Sequence, residues 1–228
     1  MRVRRLHSWS LSYEEARRLQ EKLRNRLSTE PLAPRARFIA GTDVSYEIHG
    51  DTFFAGVVVW DMEKRELIEE KGYVGHVTFP YIPGLLSFRE APVLLKAFQK
   101  IRSPVDVMIV DGQGIAHPRG LGIAAHISLL LDIPGAGCAK SRLIGEHAEV
   151  GGKRGNRADL LINGVRVGVA LRTRDGVKPV FVSPGHRITV DAAANLVMKC
   201  TTKYRIPEPT RLAHHFVNRM RREAGKCP

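Results

Sequence analysis

Cysteine is scarce, acidic residues are outnumbered by basic ones, and no apolar run is long enough to cross a bilayer, so several protein classes fall away at once. Three cysteines, Cys138, Cys200 and Cys227, stand far apart with no C-x-x-C pair. That spacing excludes a disulfide scaffold, argues against a thiolate zinc site, and predicts reduced thiols in a cytoplasmic setting. Without an 18-residue apolar span or a lipidation signal, a membrane is not expected as a partner. The opening residues, MRVRRLHSWS, have no apolar centre, so no secretory signal is expected. There is no G-x-x-x-x-G-K-[ST] phosphate loop, and Gly112-Gln113-Gly114 lacks the third glycine of a dinucleotide fingerprint. No repeat, linker or compositional break divides the chain, which predicts one domain over residues 1–228.

What is present is a large positive charge. The formal net charge is +13 and the pI is near 10.1. With a membrane set aside, this favours a nucleic acid, because basic side chains gain by releasing counterions condensed on phosphates. Arginine outnumbers lysine, which suits bidentate phosphate contacts as well as a heat-adapted surface. A hydrophobic content of 43% is ample for a core.

Along the chain, Ser12 and Glu15 form a capping box that starts a helix running to Leu27, and Pro31 and Pro34 break it. Phe38 and Ile39 begin a strand that contains Asp43. Thr52 to Trp60 and Glu66 to Phe79 supply two more strands, and the short connections imply an antiparallel meander. Pro80 and Pro83 bracket Tyr81 and Ile82 and push both side chains outward. After Gly84 a helix buries Leu85, Phe88, Leu94, Leu95 and Phe98 and carries Glu90 near its start. Val105 to Val110 is a buried strand that stops at Asp111, and a glycine loop leads to a helix near Leu121. A further strand ends at Lys140. Residues Glu146 to Arg157 read as a polar, mobile excursion, and Asn163-Gly164 and Asp175-Gly176 as hairpin turns, with another turn at Ser183 to His186. Two helices close the chain, one from Asp191 to Thr201 and a last one started by Thr210, which carries adjacent His214 and His215.

Two acids stand out chemically. Alone, Asp111 reads as an exposed turn residue closing a strand. Asp43 is harder to dismiss, since a carboxylate within a strand is costly to bury without a cation or donors. Three antiparallel strands, a helix, then strands alternating with helices is the order of the ribonuclease H-like α/β fold, with a mixed central sheet whose antiparallel strands are followed by parallel ones, flanked by helices. In that arrangement Asp43 lies beside Asp111 at the strand ends, and paired oxygen donors suit magnesium. Magnesium so held orients water and stabilises the departing oxygen of a phosphodiester.

The segments AGTDVSY, PYIPGLLSFRE, VDGQGIAHPRGLGIAAH, GCAKSRLIG and PEPTRLAH, in this order across nearly the whole chain, closely resemble the endonuclease V family. The resemblance implies a magnesium-dependent, monomeric DNA repair nuclease that recognises deoxyinosine in double- or single-stranded DNA and cuts the second phosphodiester bond on its 3′ side. It matches Asp43 and Asp111 to the metal-binding acids, Glu90 to a third acid, Lys140 to the site lysine and His215 to the terminal-helix histidine, with His214 as the neighbouring alternative. Pro80, Tyr81, Ile82 and Pro83 match a wedge that enters the duplex, and Gly84, Gly112 and Gly122 leave room for an extruded base. Arg89 and His117 touch the backbone, orient the acids or serve the structure alone. Inosine-containing RNA is the alternative substrate, and a non-catalytic basic DNA-binding module the third reading; three carboxylates facing a phosphate argue against the last.

Overall fold

The computed structural model describes residues 1–29, 36–47 and 50–225. Pro31, Pro34 and Cys227 lie outside the described residues. The first helix, α1 (Tyr13–Arg24), starts at the expected capping box: Glu15 N–H donates to Ser12 Oγ at 3.3 Å, and Ser12 N–H to Glu15 Oε2 at 2.7 Å. Such a cap stabilises by about 1 kcal/mol. A helix with its own start signal can hold its place against later segments, where Gln20 donates to the Leu121 carbonyl and Leu23 packs on Leu121, Ala125 and Leu129.

Strands β1 (Phe38–Tyr46), β2 (Thr52–Asp61) and β3 (Glu66–His76) form the antiparallel meander, and α2 (Leu86–Gln99) crosses to β4 (Val107–Val110). Then come α3 (Ile123–Leu131), β5 (Gly135–Ala139), β6 (Arg157–Ile162), β7 (Val165–Leu171), β8 (Val180–Pro184), α4 (Val190–Cys200) and α5 (Glu208–Ala224). The eight strands make one sheet in the order β3-β2-β1-β4-β5-β8-β7-β6. The two crossovers through α2 and α3 set β1, β4 and β5 parallel, whereas β6, β7 and β8 add an antiparallel second wing. This is the ribonuclease H-like arrangement with its mixed sheet.

Both faces of the central strands are covered, which is why β4 reads as an unbroken apolar run. Met108 and Val110 join Phe53, Val57, Leu94, Phe98 and Ile127 beneath α2 and α3, while Val107 and Ile109 join Ile39, Val182, Leu196 and Val197 beneath α4. Burying side chains of this size stabilises by roughly 1.5–3 kcal/mol each, so the central strands are held rigidly and their carboxyl ends are fixed points.

Four details differ from the sequence-based expectation. Residues 146–157 are tied down: Glu146 pairs with Leu161, and Arg172 donates to the carbonyls of Val150 at 2.7 Å and Gly151 at 3.0 Å. The last helix starts at Glu208, after Pro207 at its N-cap, rather than at Thr210, because Pro209 in the first turn needs no amide partner; Thr210 Oγ1 instead donates to the Pro207 carbonyl at 3.0 Å. Ile82 is not turned outward but packs against the cluster of Ala16, Leu85 and Phe88. Ser183 and Pro184 belong to β8, so the turn expected there begins after them.

Candidate active site and base pocket

Parallel pairing of β1 with β4 aligns Thr42 with Val110, so the next residues of each strand, Asp43 and Asp111, emerge side by side at the carboxyl edge. Neighbouring strands lie about 4.8 Å apart, which brings two carboxylates within strong mutual repulsion. Glu90, in the second turn of α2, completes the group. Burial first, and then the charges of Asp43 and Asp111, push the Glu90 carboxyl up to about 8. Asp43 is likewise raised, by burial and then by Asp111, against the lowering effect of its hydrogen bond to His214.

Positive charge is supplied by Lys140 and Arg89. Lys140, at the end of β5, binds Asp111 directly, and Asp111 and Asp43 raise its pKa against the opposing effect of burial. Arg89 lies close enough to lower Glu90 slightly. His214 Nδ1 donates to Asp43 Oδ2 at 2.7 Å. His215, the histidine expected at the site, is exposed like His214, and the two ring centroids lie 6.1 Å apart. One residue on a helix is a rotation of about 100°, so only one of the pair can face β1. Asn218, one turn on, donates to the His214 carbonyl at 2.8 Å and lies within 3.2 Å of its Nε2.

The donor set fits a hard divalent cation. All three acids offer oxygen, and burial together with the mutual repulsion that raises Asp43 and Glu90 disfavours their charged forms, which a bound cation would stabilise. No three of the His, Cys, Asp and Glu side chains among the described residues form a ready-made cage. Magnesium does not require one, since it takes one or two carboxylates and keeps waters for the rest. The thiols play no part here: Cys138 and Cys200 are buried in the core, and burial pushes Cys200 up to about 12.

The raised Glu90 carboxyl makes a pH prediction for the metal-free protein. Its pKa is above the 4.5 of an exposed glutamate, so the stability it contributes is complete below about pH 4.5 and is lost as pH rises through 8. Glu90→Gln should leave the Tm in chelator unchanged at pH 4 and raise it by roughly 5 °C at pH 8. Calorimetry at the two pH values checks this, and an equal effect at both would show that Glu90 is ionised in the fold.

Beside the acids lies a pocket of ≈ 150 Å³ whose walls include Tyr81, Gly84, Ser87, Gln113, Gly122 and Leu143. Its rim is braced through one carbonyl. Gly84, at φ +79°, directs its oxygen at Gln20 Nε2 (3.0 Å), His117 Nε2 (3.0 Å) and Arg119 Nη2 (2.8 Å). Burial, then the Arg119 charge, lowers His117 to about 4, which keeps it neutral and lets its Nδ1 accept from Arg119 N–H at 3.2 Å. Gly122 caps α3, and its N–H donates to the Gly114 carbonyl at 2.8 Å, folding the acid loop back against the pocket. Gly112 does not line the pocket; a Cβ there would meet Ile123 Cγ2. Arg89 braces the loop of residues 80–83 from behind, donating to the Phe79 carbonyl at 2.9 Å with its guanidinium over the Phe53 ring. Pro80, Tyr81 and Pro83 are exposed, Tyr81 to 70%.

The model of the family described as Endonuclease V matches residues 21–215. The chain belongs to the endonuclease V family. Within that family it is 46% identical to endonuclease V of Nostoc punctiforme over 93% of this chain and 97% of the relative. The crystal structure of endonuclease V from Streptomyces avermitilis superposes with a TM-score of 0.91 at 41% identity, covering 99% of this chain and 100% of the other. Endonuclease V of Ciona intestinalis, solved in complex with a 24mer DNA containing an inosine followed by a ribo-adenosine, superposes at 0.83 with 27% identity over 92% and 98% of the two chains. The family is one of nucleases, and no helix among the described residues is long and apolar enough to span a membrane.

Family motifs pointed to the acids, the lysine and the wedge. They did not point to Gln20, Ser87, Gln113 or Arg119 as pocket parts. Gln113 and Arg119 sit inside a recognisable motif, and Ser87 inside another, but Gln20 carries no local signal because it reaches the pocket only through the packing of α1.

Proposed function

We propose that this chain is a cytoplasmic, monomeric, single-domain DNA repair endonuclease that recognises deoxyinosine and hydrolyses the second phosphodiester bond 3′ to it with the aid of magnesium. The observation that carries the reading is the adjacency of a three-carboxylate edge to a small pocket with an exposed aromatic at its mouth. Asp43 and Asp111 would hold the ion directly and Glu90 through water; the ion supplies water activation and stabilisation of the departing oxygen. Lys140 would move from Asp111 to the scissile phosphate once the acids are neutralised. His214 would orient Asp43. The pocket would hold the extruded base, and the phosphate reached by the acids then lies at a fixed offset along the strand.

The reading is tested by nicking of a duplex with one central deoxyinosine, with magnesium or chelator, mapping the cut. Because the Ciona intestinalis relative is described with a ribo-adenosine after the inosine, matched strands with deoxyribose or ribose at that position, and an all-RNA strand, belong in the same assay. Faster cutting of the RNA would replace DNA as the substrate. Absence of cutting of any inosine strand, with binding intact, would favour a non-catalytic module.

Tyr81 makes a second test. Held between prolines, it can fill the gap left by an extruded nucleotide at small entropic cost. Tyr81→Ala should weaken binding to inosine DNA about tenfold more than binding to undamaged duplex, as expected for one lost base–aromatic stack. Equal losses on the two duplexes would make Tyr81 an ordinary surface contact.

A further inference from the structure

We infer that Ser87 is a specificity-determining residue: a one-way hydrogen-bond relay through His126 and His7 holds its hydroxyl as an acceptor in the pocket wall, selecting a base with a donor at N1. This rests on the reading that the pocket receives the extruded base. The relay begins at the Ser8 carbonyl, which can only accept, so His7 Nδ1, 2.6 Å away, must carry a proton. A neutral His7 then has Nε2 free to accept, and its partner there among the described residues is His126 Nε2 at 2.9 Å. His126 must donate from Nε2, which leaves its Nδ1 as an acceptor 3.1 Å from Ser87 Oγ. The Ser87 proton is therefore spent on His126, and only lone pairs remain for the pocket that Ser87 lines.

The neutrality this needs is provided by packing. His126 is wholly buried, with the rings of Trp9, Phe88 and His7 around it, and burial followed by the neighbouring His7 lowers it to about 3; burial lowers His7 too. Gln113, in the same pocket lining, carries a second acceptor. It is 8% exposed; its amide nitrogen donates to the Ser141 carbonyl at 3.1 Å, and its Oε1 has no partner among the described residues. Hypoxanthine offers N1–H to such a wall, whereas adenine offers a lone pair at N1 and would be left with opposed acceptors. Guanine also carries N1–H, so its exclusion falls to the walls around its extra amino group.

The test uses the full chain and single-turnover nicking of oligomers carrying hypoxanthine or unsubstituted purine, which fits the same space but has a lone pair at N1. Ser87→Ala should lower the hypoxanthine rate about tenfold, the worth of one hydrogen bond, and both Ser87→Ala and His126→Leu should lower the hypoxanthine-to-purine ratio, with the purine rate raised because the opposed lone pair is removed or the hydroxyl is freed to donate. His126→Asn, which restores an acceptor near the Nδ1 position, should recover most of the hypoxanthine-to-purine ratio. An unchanged ratio in folded Ser87→Ala overturns the inference even if His126→Leu fails to fold. Equal losses for Leu and Asn at position 126 also overturn it, since packing alone would then be at work. If the wild-type chain ignores hypoxanthine in every strand, the base-pocket reading itself fails, which is a separate result.

Discussion

Asp111→Asn and Asp43→Asn should each abolish inosine-directed nicking, by ~10³-fold or more, equivalent to ~4 kcal/mol of lost transition-state stabilisation. Each change removes one charged oxygen donor from the edge at which β1 and β4 end, so the proposed cation would lose a direct ligand while the strands keep their pairing. Binding to inosine DNA should stay within a fewfold of wild type, because affinity comes chiefly from basic side chains on phosphates and the +13 charge only increases. Thermal stability in chelator should not fall, since removing one carboxylate relieves the repulsion felt by Glu90 and offsets the lost contact to Lys140 or His214. Single-turnover kinetics, a gel-shift titration and a melting curve on each variant check the three statements. Strong residual magnesium-dependent cutting in either variant would remove that acid from the site and return it to the role of a strand-closing residue.

Gly122→Ala should be nearly as damaging for a different reason. A Cβ there would lie 2.3 Å from the Gln113 carbonyl oxygen and 2.7 Å from that of Gly114, both backbone atoms in the acid loop. Those same oxygens accept from Ala124 and Gly122, so the start of α3 and the loop behind Asp111 must separate together. A displacement on the order of 1 Å next to the reacting groups costs about 10²-fold, and overpacking of this kind destabilises by about 1–3 kcal/mol. Gly84→Ala should be milder. Its φ of +79° disfavours any side chain by about 1–2 kcal/mol, but the Cβ would meet Arg119 Nη2, the end of a side chain that can swing aside. Nicking rate, cut position and affinity for undamaged duplex should be compared for both variants. A wild-type nicking rate in Gly122→Ala would sink the idea that this close-packed backbone forms the wall shared by pocket and acids.

The elements were legible because their signals are local. The capping box at Ser12, the apolar runs of β2 and β4 and the Asn163-Gly164 turn each depend on residues within a few positions of one another. The errors also have a common cause. Whether His214 or His215 faces β1 depends on how α5 is rotated against the sheet, and Ile82 turns inward because Ala16, from a helix far away in sequence, offers it a surface. The supposed mobility of residues 146–157 was inferred from glycine and charge, but Arg172, on another segment, holds their carbonyls.

By itself the sequence determined the order of strands and helices, the acid at the end of β4, the proline-bracketed aromatic and the basic charge, because these follow from periodicity, capping and composition along the chain. Only the tertiary structure decided that burial, and then the neighbouring carboxylates, raise Glu90, that His214 rather than His215 meets Asp43, and that Ser87 speaks to its pocket through His126 and His7. Those are properties of charges and lone pairs a few ångströms apart, and it is the parallel register of β1 with β4 and the packing of the helices that set the separations.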